Sequence, residues 1–248
     1  MTPFNLSAMT RIAKLLTELV GTFVFLSVIA LSGTIGPLAP LAIGSVLMVM
    51  VYMGGHISGA HYNPAVSLGV FLRQKMGAVD LGLYWIAQLV GAALAFTFGY
   101  LVSGRTPGIH PGPHVGVASA LAIEIAFTTA LVLVVLNVAA TRQTQGNSFY
   151  GLAIGFTIVA AAFAGGPISG GAYNPAVGFG ATLGSALFSG GSWSDLWLYI
   201  VAPLVGGAIG AGIHYVQTVG LELATAPPEG EPSPGAPAPV PSAETTIG

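Results

Sequence analysis

The sequence predicts an all-α membrane protein with six transmembrane helices, two re-entrant half-helices and an inverted-topology repeat. Charged residues make up only 6% of the 248-residue chain and hydrophobic residues 54%, with a mean hydropathy of +0.83. A soluble domain carries about 25% charged residues. A thirteen-residue segment occurs twice, as GGHISGAHYNPAV at 54–66 and GGPISGGAYNPAV at 165–177, with ten positions identical. Each copy runs into an apolar stretch, 64–72 and 175–187, too short to cross a bilayer of roughly 30 Å. These stretches read as segments that enter the membrane and turn back.

The elements follow in order. Residues 1–11 form a short N-terminus, and the first span, 12–32, is long and carries Glu18, so it reads as retained rather than as a cleaved signal peptide. Spans at 38–53 and 81–103 complete a first repeat over 12–105, with the half-helix at 64–72 between them. A loop at 106–116 leads to a second repeat over 117–220, with spans at 117–139, 150–164 and 196–220. The tail over 221–248 is rich in Pro and small polar residues and reads as disordered. Arg11, Lys14, Arg73, Lys75 and Arg142 fall on one side of these spans and Arg105 on the other. The positive-inside rule makes the first side cytoplasmic, with both termini there and the 106–116 loop extracellular.

The repeat extends beyond the thirteen residues. Glu18 in LLTELVGTFVF matches Glu124 in LAIEIAFTTALVL, and AQLVGAALA at 87–95 echoes APLVGGAIG at 202–210. Three spans per half invert the second half relative to the first, so a functional site is expected near the midplane where the halves meet. Asn is a preferred helix cap and Pro a favoured first residue, so Asn63 and Pro64, and Asn174 and Pro175, each start a half-helix, and inversion turns the two caps toward each other. Gly54, Gly55 and Gly59, with Gly165, Gly166, Gly170 and Gly171, predict irregular backbone leading to each cap. Such backbone survives at membrane depth only when buried or lining a wet cavity. Two facing N-termini present positive dipole ends that repel a cation. An Asn whose oxygen caps its own helix keeps its amide nitrogen to donate into the lumen. Water accepting from both amides has its hydrogens turned away, which interrupts a proton wire.

With the paired HYNPAV and AYNPAV, the matched glutamates and Gln88 in YWIAQLVGA, the chain resembles the aquaporins, or major intrinsic proteins, over roughly residues 12–220. The resemblance implies the paired motif residues Asn63, Pro64, Ala65, Asn174, Pro175 and Ala176 at the pore centre. It implies a homotetramer with one pore per subunit and passive flow of water or small neutral solutes, and no cofactor. In that family an arginine usually follows the second motif and forms an outer constriction with three other residues. Here that position is Val177, and by spacing the others are Ile43, Ala162 and Gly171, an apolar and comparatively wide set. Some tonoplast members also carry Val there, a subgroup associated with water, ammonia, urea and peroxide. The glycerol-facilitator branch usually has an Asp shortly after its second motif, where this chain has Val177-Gly178.

Other candidates have two readings each. Glu18 and Glu124, costly in a bilayer, serve either a proton relay or as buried acceptors for the loop N–H groups, and their symmetric placement favours the second. His110 and His114 in GIHPGPHVG suggest a metal site only weakly; a solvated loop, or a loop folded over the mouth that lends one His to the filter, are the other readings. His61 is expected to bond loop backbone near the cytoplasmic vestibule, with His56 on the same loop, and either is a candidate for gating by pH. Trp85, Trp193 and Trp197 suit interfacial anchoring. An enzyme is not expected, since no acid and base pair meets at the midplane. No cysteine is present for a disulfide or thiolate, and a net charge of −2 gives no field for nucleic acid. The alternatives to a channel are an ion-coupled secondary transporter and a non-conducting structural tetramer. The host is read as a lipid bilayer, the cell membrane first.

Overall fold

The computed structural model describes residues 6–224, with side chains over 8–220. Six long helices and two short ones make up the fold: α1 (Leu6–Ala30), α2 (Ala39–Ser58), α3 (Pro64–Leu72), α4 (Ala78–Ser103), α5 (Val117–Val135), α6 (Tyr150–Ser169), α7 (Pro175–Phe188) and α8 (Leu196–Ala224). The six long ones are long and apolar enough to cross a membrane, with α5 continued by a π turn over Leu136–Ala140. The short pair, α3 and α7, are the half-helices.

Packing repeats between the halves. The pair α1 and α4 corresponds to α5 and α8, α1 and α2 to α5 and α6, and α3 and α8 to α7 and α4, while α2 and α6 meet across the pseudo-twofold axis. The echoed segments AQLVGAALA and APLVGGAIG are the crossing points of two of these pairs. A Cβ on Gly91 would lie 2.7 Å from the Leu19 carbonyl, and one on Gly206 would lie 2.6 Å from that of Ile125. Close backbone approach of this kind gives van der Waals contact between spans where lipid removes any hydrophobic drive to associate.

Several boundaries differ from the sequence reading. The first helix begins at Leu6 rather than 12, and α8 runs to Ala224, past the expected boundary at 220. The rest of the expected disordered tail lies outside the described residues. A larger correction concerns the glycines ahead of each cap. Gly54 and Gly55 lie inside α2, and Gly165 and Gly166 inside α6, so the irregular backbone is confined to 59–63 and 170–174. Each helix stops at a glycine in the left-handed region, Gly59 at φ 90° and Gly170 at φ 94°, where a Cβ would be strained. Two of these glycines are needed for room: Tyr62 packs its ring end on Gly54, and Tyr173 packs on Gly165. The two hydroxyls then donate to the carbonyls of Met50 at 3.0 Å and Ala161 at 2.9 Å.

Trp85 is also not a free interfacial anchor. Its indole N–H donates to the Pro64 carbonyl at 3.0 Å, tying α4 to the start of α3. Trp193 and Trp197 remain half exposed.

Candidate functional site

Each half-helix begins at an extended Asn, at φ −157° for Asn63 and −160° for Asn174. Asn63 Oδ1 accepts from the Ala65 N–H at 2.8 Å and Asn174 Oδ1 from the Ala176 N–H at 2.9 Å. Pro64 and Pro175 occupy the first helical position, where no N–H is required. The helix starts thus carry their own caps, with the positive dipole ends brought to the level where α3 and α7 meet.

The amide nitrogens do something the sequence reading did not foresee. Asn63 Nδ2 donates to the Tyr173 carbonyl and Asn174 Nδ2 to the Tyr62 carbonyl, both at 2.9 Å. The two loops are cross-linked by this reciprocal pair. An amide has two N–H groups, so one of each is committed to the opposite loop and one is left. Both Asn side chains line the central cavity, which fixes their rotamers and their register against each other before any solute arrives.

Behind each loop stands a buried carboxylate. Glu124 Oε1 accepts from Ser169 Oγ at 2.7 Å and the Ala172 N–H at 2.9 Å, and Oε2 from the Tyr173 N–H at 2.6 Å. Glu18 does the same for Ser58 Oγ, His61 N–H and Tyr62 N–H at 2.7, 2.9 and 2.8 Å. Both carboxylates are fully buried. Tyr62 and Tyr173 each sit at φ 48°, a conformation bulky residues adopt only when the surroundings over-determine it. The Glu–N–H bond at one end of each tyrosine and the hydroxyl bond at the other supply that constraint. Tyr84 and Tyr199 complete the symmetry, donating to the carbonyls of Ser58 at 2.7 Å and Ser169 at 2.5 Å.

Symmetry fails at one cluster. Gln88 Nε2 donates to Glu18 Oε2 and, at 3.0 Å, to Ser67 Oγ, which also meets His61 Nδ1 at 3.0 Å. Ala172, Gly178 and Pro203 stand at the corresponding positions of the second half. His61 was expected to bond loop backbone; its partner is the Ser67 hydroxyl instead, because the first turn of α3 brings that side chain beneath the ring. His56 lies in the last turn of α2, exposed, and not on the loop.

The caps stand within a single cavity of ≈ 400 Å³ that reaches from Ala60 and His61 to the 104–116 loop. Ile43, Ala162, Gly171 and Val177 all line it, and none of its lining residues carries a fixed charge. The 104–116 loop folds over its mouth: the Gly112 N–H donates to the Ile168 carbonyl at 2.9 Å, and Pro107, Gly108 and Ile109 line the cavity. His110 and His114 are exposed and are not among the lining residues; the loop brings an isoleucine to the cavity, not a histidine. Ile109 was missed in the sequence. Its only signal there is that it is the one large apolar residue in RTPGIHPGPH. Among the described residues no group of three or more His, Asp or Glu could hold a metal.

On the basic side a second cavity of ≈ 320 Å³ is lined by Lys14, Lys75, Asp80, Tyr84 and His61. His61 lines both cavities and stands between them.

Comparison with known proteins matches residues 5–214 to the family described as Major intrinsic protein. A probable aquaporin TIP3-2 of Oryza sativa subsp. japonica is 35% identical over 187 residues, covering 74% of this chain and 69% of the relative. Aquaporin NIP3-1 of Arabidopsis thaliana is 37% identical over 224 residues, covering 83% and 68%. A glycerol uptake facilitator protein-like 6 of Lactiplantibacillus plantarum is 36% identical over 211 residues, covering 80% and 94%. Among solved structures, the aquaglyceroporin from Plasmodium falciparum superposes with a TM-score of 0.73 at 23% identity, over 87% of this chain and 100% of that one. The fold is shared with that structure, and the relatives include both aquaporins and a glycerol facilitator.

Proposed function

The chain belongs to the major intrinsic protein family, an integral multi-pass channel of the membrane and not an enzyme, and from that premise we propose that it conducts water together with ammonia, hydrogen peroxide and urea while excluding protons and ions. Passive passage of water and small solutes follows from the family. The finer reading rests on one observation, the facing pair Asn63 and Asn174 locked by reciprocal bonds to Tyr173 and Tyr62. The locked amides present donors at a fixed height in an uncharged lumen. A water that accepts from both turns its hydrogens outward, so the wire for proton hopping is broken there. Two positive dipole ends at the same level oppose a cation.

The solute range is proposed from the end of the cavity that lies beneath the 104–116 loop. Ile43, Ala162, Gly171 and Val177 act as its filter, with neither the positive charge nor the donor set that an arginine would supply. An uncharged apolar wall of this kind discriminates by size and tolerates neutral solutes larger than water. Orientation is proposed from the basic residues, which put both termini in the cytoplasm, and the assembly is proposed to be a homotetramer in the cell membrane.

Stopped-flow light scattering on reconstituted vesicles given a urea gradient tests this reading. Shrinkage faster than in protein-free vesicles, followed by fast re-swelling, is the expected result. Fast shrinkage without re-swelling overturns the solute range, and shrinkage no faster than control overturns the channel assignment.

A further inference from the structure

We propose that the cleft between the end of α3 and the middle third of α8 binds the phosphate of an anionic phospholipid, with one acyl chain lying along α8. The cleft measures ≈ 670 Å³ and shares no lining residue with the ≈ 400 Å³ cavity of the lumen. It stands or falls independently of the conducted solute.

One wall is cationic by construction. The α3 helix ends in a Schellman turn: the Lys75 N–H donates to the Val70 carbonyl at 3.0 Å and the Gln74 N–H to the Phe71 carbonyl at 2.8 Å, with Gln74 at φ 58°. This turn reverses the chain and places Arg73 and Lys75 on either side of Gln74, all three lining the cleft. The turn also satisfies the carbonyls at the negative end of the helix, leaving fewer bare acceptors to oppose an anion. The guanidinium of Arg73 is held rigidly. Its Nε donates to His214 Nδ1 at 2.9 Å, Nη2 to Thr218 Oγ1 at 3.2 Å, and its Cζ lies over the Tyr215 ring, 5.0 Å from the ring centre. Lys75 is exposed and, among the described residues, makes no ion pair. No acidic residue lines the cleft.

The other wall belongs to α8 and is apolar and shallow. Ala208 and Gly212 are exposed, and a Cβ built on Gly212 would meet nothing within 4 Å. The groove runs on into the exposed face of α8 formed by Val205, Ile209, Ile213 and Val216, a surface that at membrane depth is covered by acyl chains. A free phosphate needs only the cations. A phospholipid uses both walls, and the position of the cleft at the basic end of the bundle places it at headgroup level.

The test is native mass spectrometry of the purified full chain titrated with phosphatidylglycerol or phosphatidylcholine. Wild type is expected to retain phosphatidylglycerol more tightly by on the order of fivefold for each cation engaged. Lys75→Ala is expected to lower that preference about fivefold. Gly212→Leu, which fills the groove without changing charge, is expected to weaken retention of phosphatidylglycerol as well. Equal retention of the two lipids by wild type overturns the proposal. So does displacement of the lipid by inorganic phosphate with Gly212→Leu silent, which would make this an anion site only, or a preference that survives both variants.

Discussion

Replacing each buried glutamate with glutamine is expected to destabilise the two halves unequally. Glutamine keeps one acceptor oxygen and turns the other into a donor. At Glu124 the best placement keeps the two bonds at Oε1, from Ser169 and Ala172, and sets the new NH₂ against one donor, the Tyr173 N–H. At Glu18 the same placement keeps Ser58 and His61 but opposes two donors, the Tyr62 N–H and Gln88 Nε2, because turning the Gln88 amide over would set its Oε1 against Ser67 Oγ, whose hydrogen goes to the Asn63 carbonyl. A hydrogen bond to a charged group contributes about 1.5–3 kcal/mol net. Loss of one such bond destabilises by about 1.5–3 kcal/mol, and loss of two by about 3–6 kcal/mol. Glutamine also relieves the desolvation of a buried carboxylate. Both sites are fully buried, so that relief is similar in each and cancels in the difference. Glu18→Gln is therefore expected to exceed Glu124→Gln by about 1.5–3 kcal/mol. Unfolding in mixed micelles of increasing SDS fraction, followed by tryptophan fluorescence, measures both. Equal losses, or a larger one at Glu124, would refute the accounting of donors. A proton relay, by contrast, would leave both variants stable and change transport under a proton gradient.

Val177→Arg places a charge and donors in the cavity and is expected to reduce urea permeability on the order of tenfold, the scale on which a pocket discriminates by size, while water permeability falls less, as read by the re-swelling and shrinkage phases of the same vesicles. Asn63→Ala removes the cap on Ala65 N–H and the bond to the Tyr173 carbonyl, a loss of about 1–2 kcal/mol from the cap alone. It is expected to raise proton or cation leak, measured as dye-reported acidification of loaded vesicles, and a leak unchanged from wild type would count against the exclusion role of the paired amides.

The starts of the half-helices were legible in the sequence because a cap is a local device. Asn63 bonds to a residue two positions on, and Pro64 needs nothing beyond its own ring, so the expected half-helix at 64–72 coincides with Pro64–Leu72. The inverted repeat was legible for a related reason, since identical neighbours in sequence fold into identical loops. The second half-helix runs to Phe188, one residue past its expected end, because nothing at 188 breaks a helix until the Ser189-Gly190 turn.

What the sequence by itself determined about this protein is its solvent, its helix starts and its pseudo-symmetry, all of which depend on composition or on residues within a turn of each other. Tertiary structure alone decided which group each buried donor would meet. The Asn63 and Asn174 amides bond across 110 and 112 residues to opposite loops, Gly54 and Gly165 serve tyrosines eight residues further on rather than a break in the helix, and Ile109 rather than His110 or His114 reaches the cavity. In each case the chain has several donors, rings or loop residues of the right chemistry. The choice among them follows from where the packed halves bring two distant segments within about 3 Å, the range in which a hydrogen bond forms, and no local preference encodes that distance.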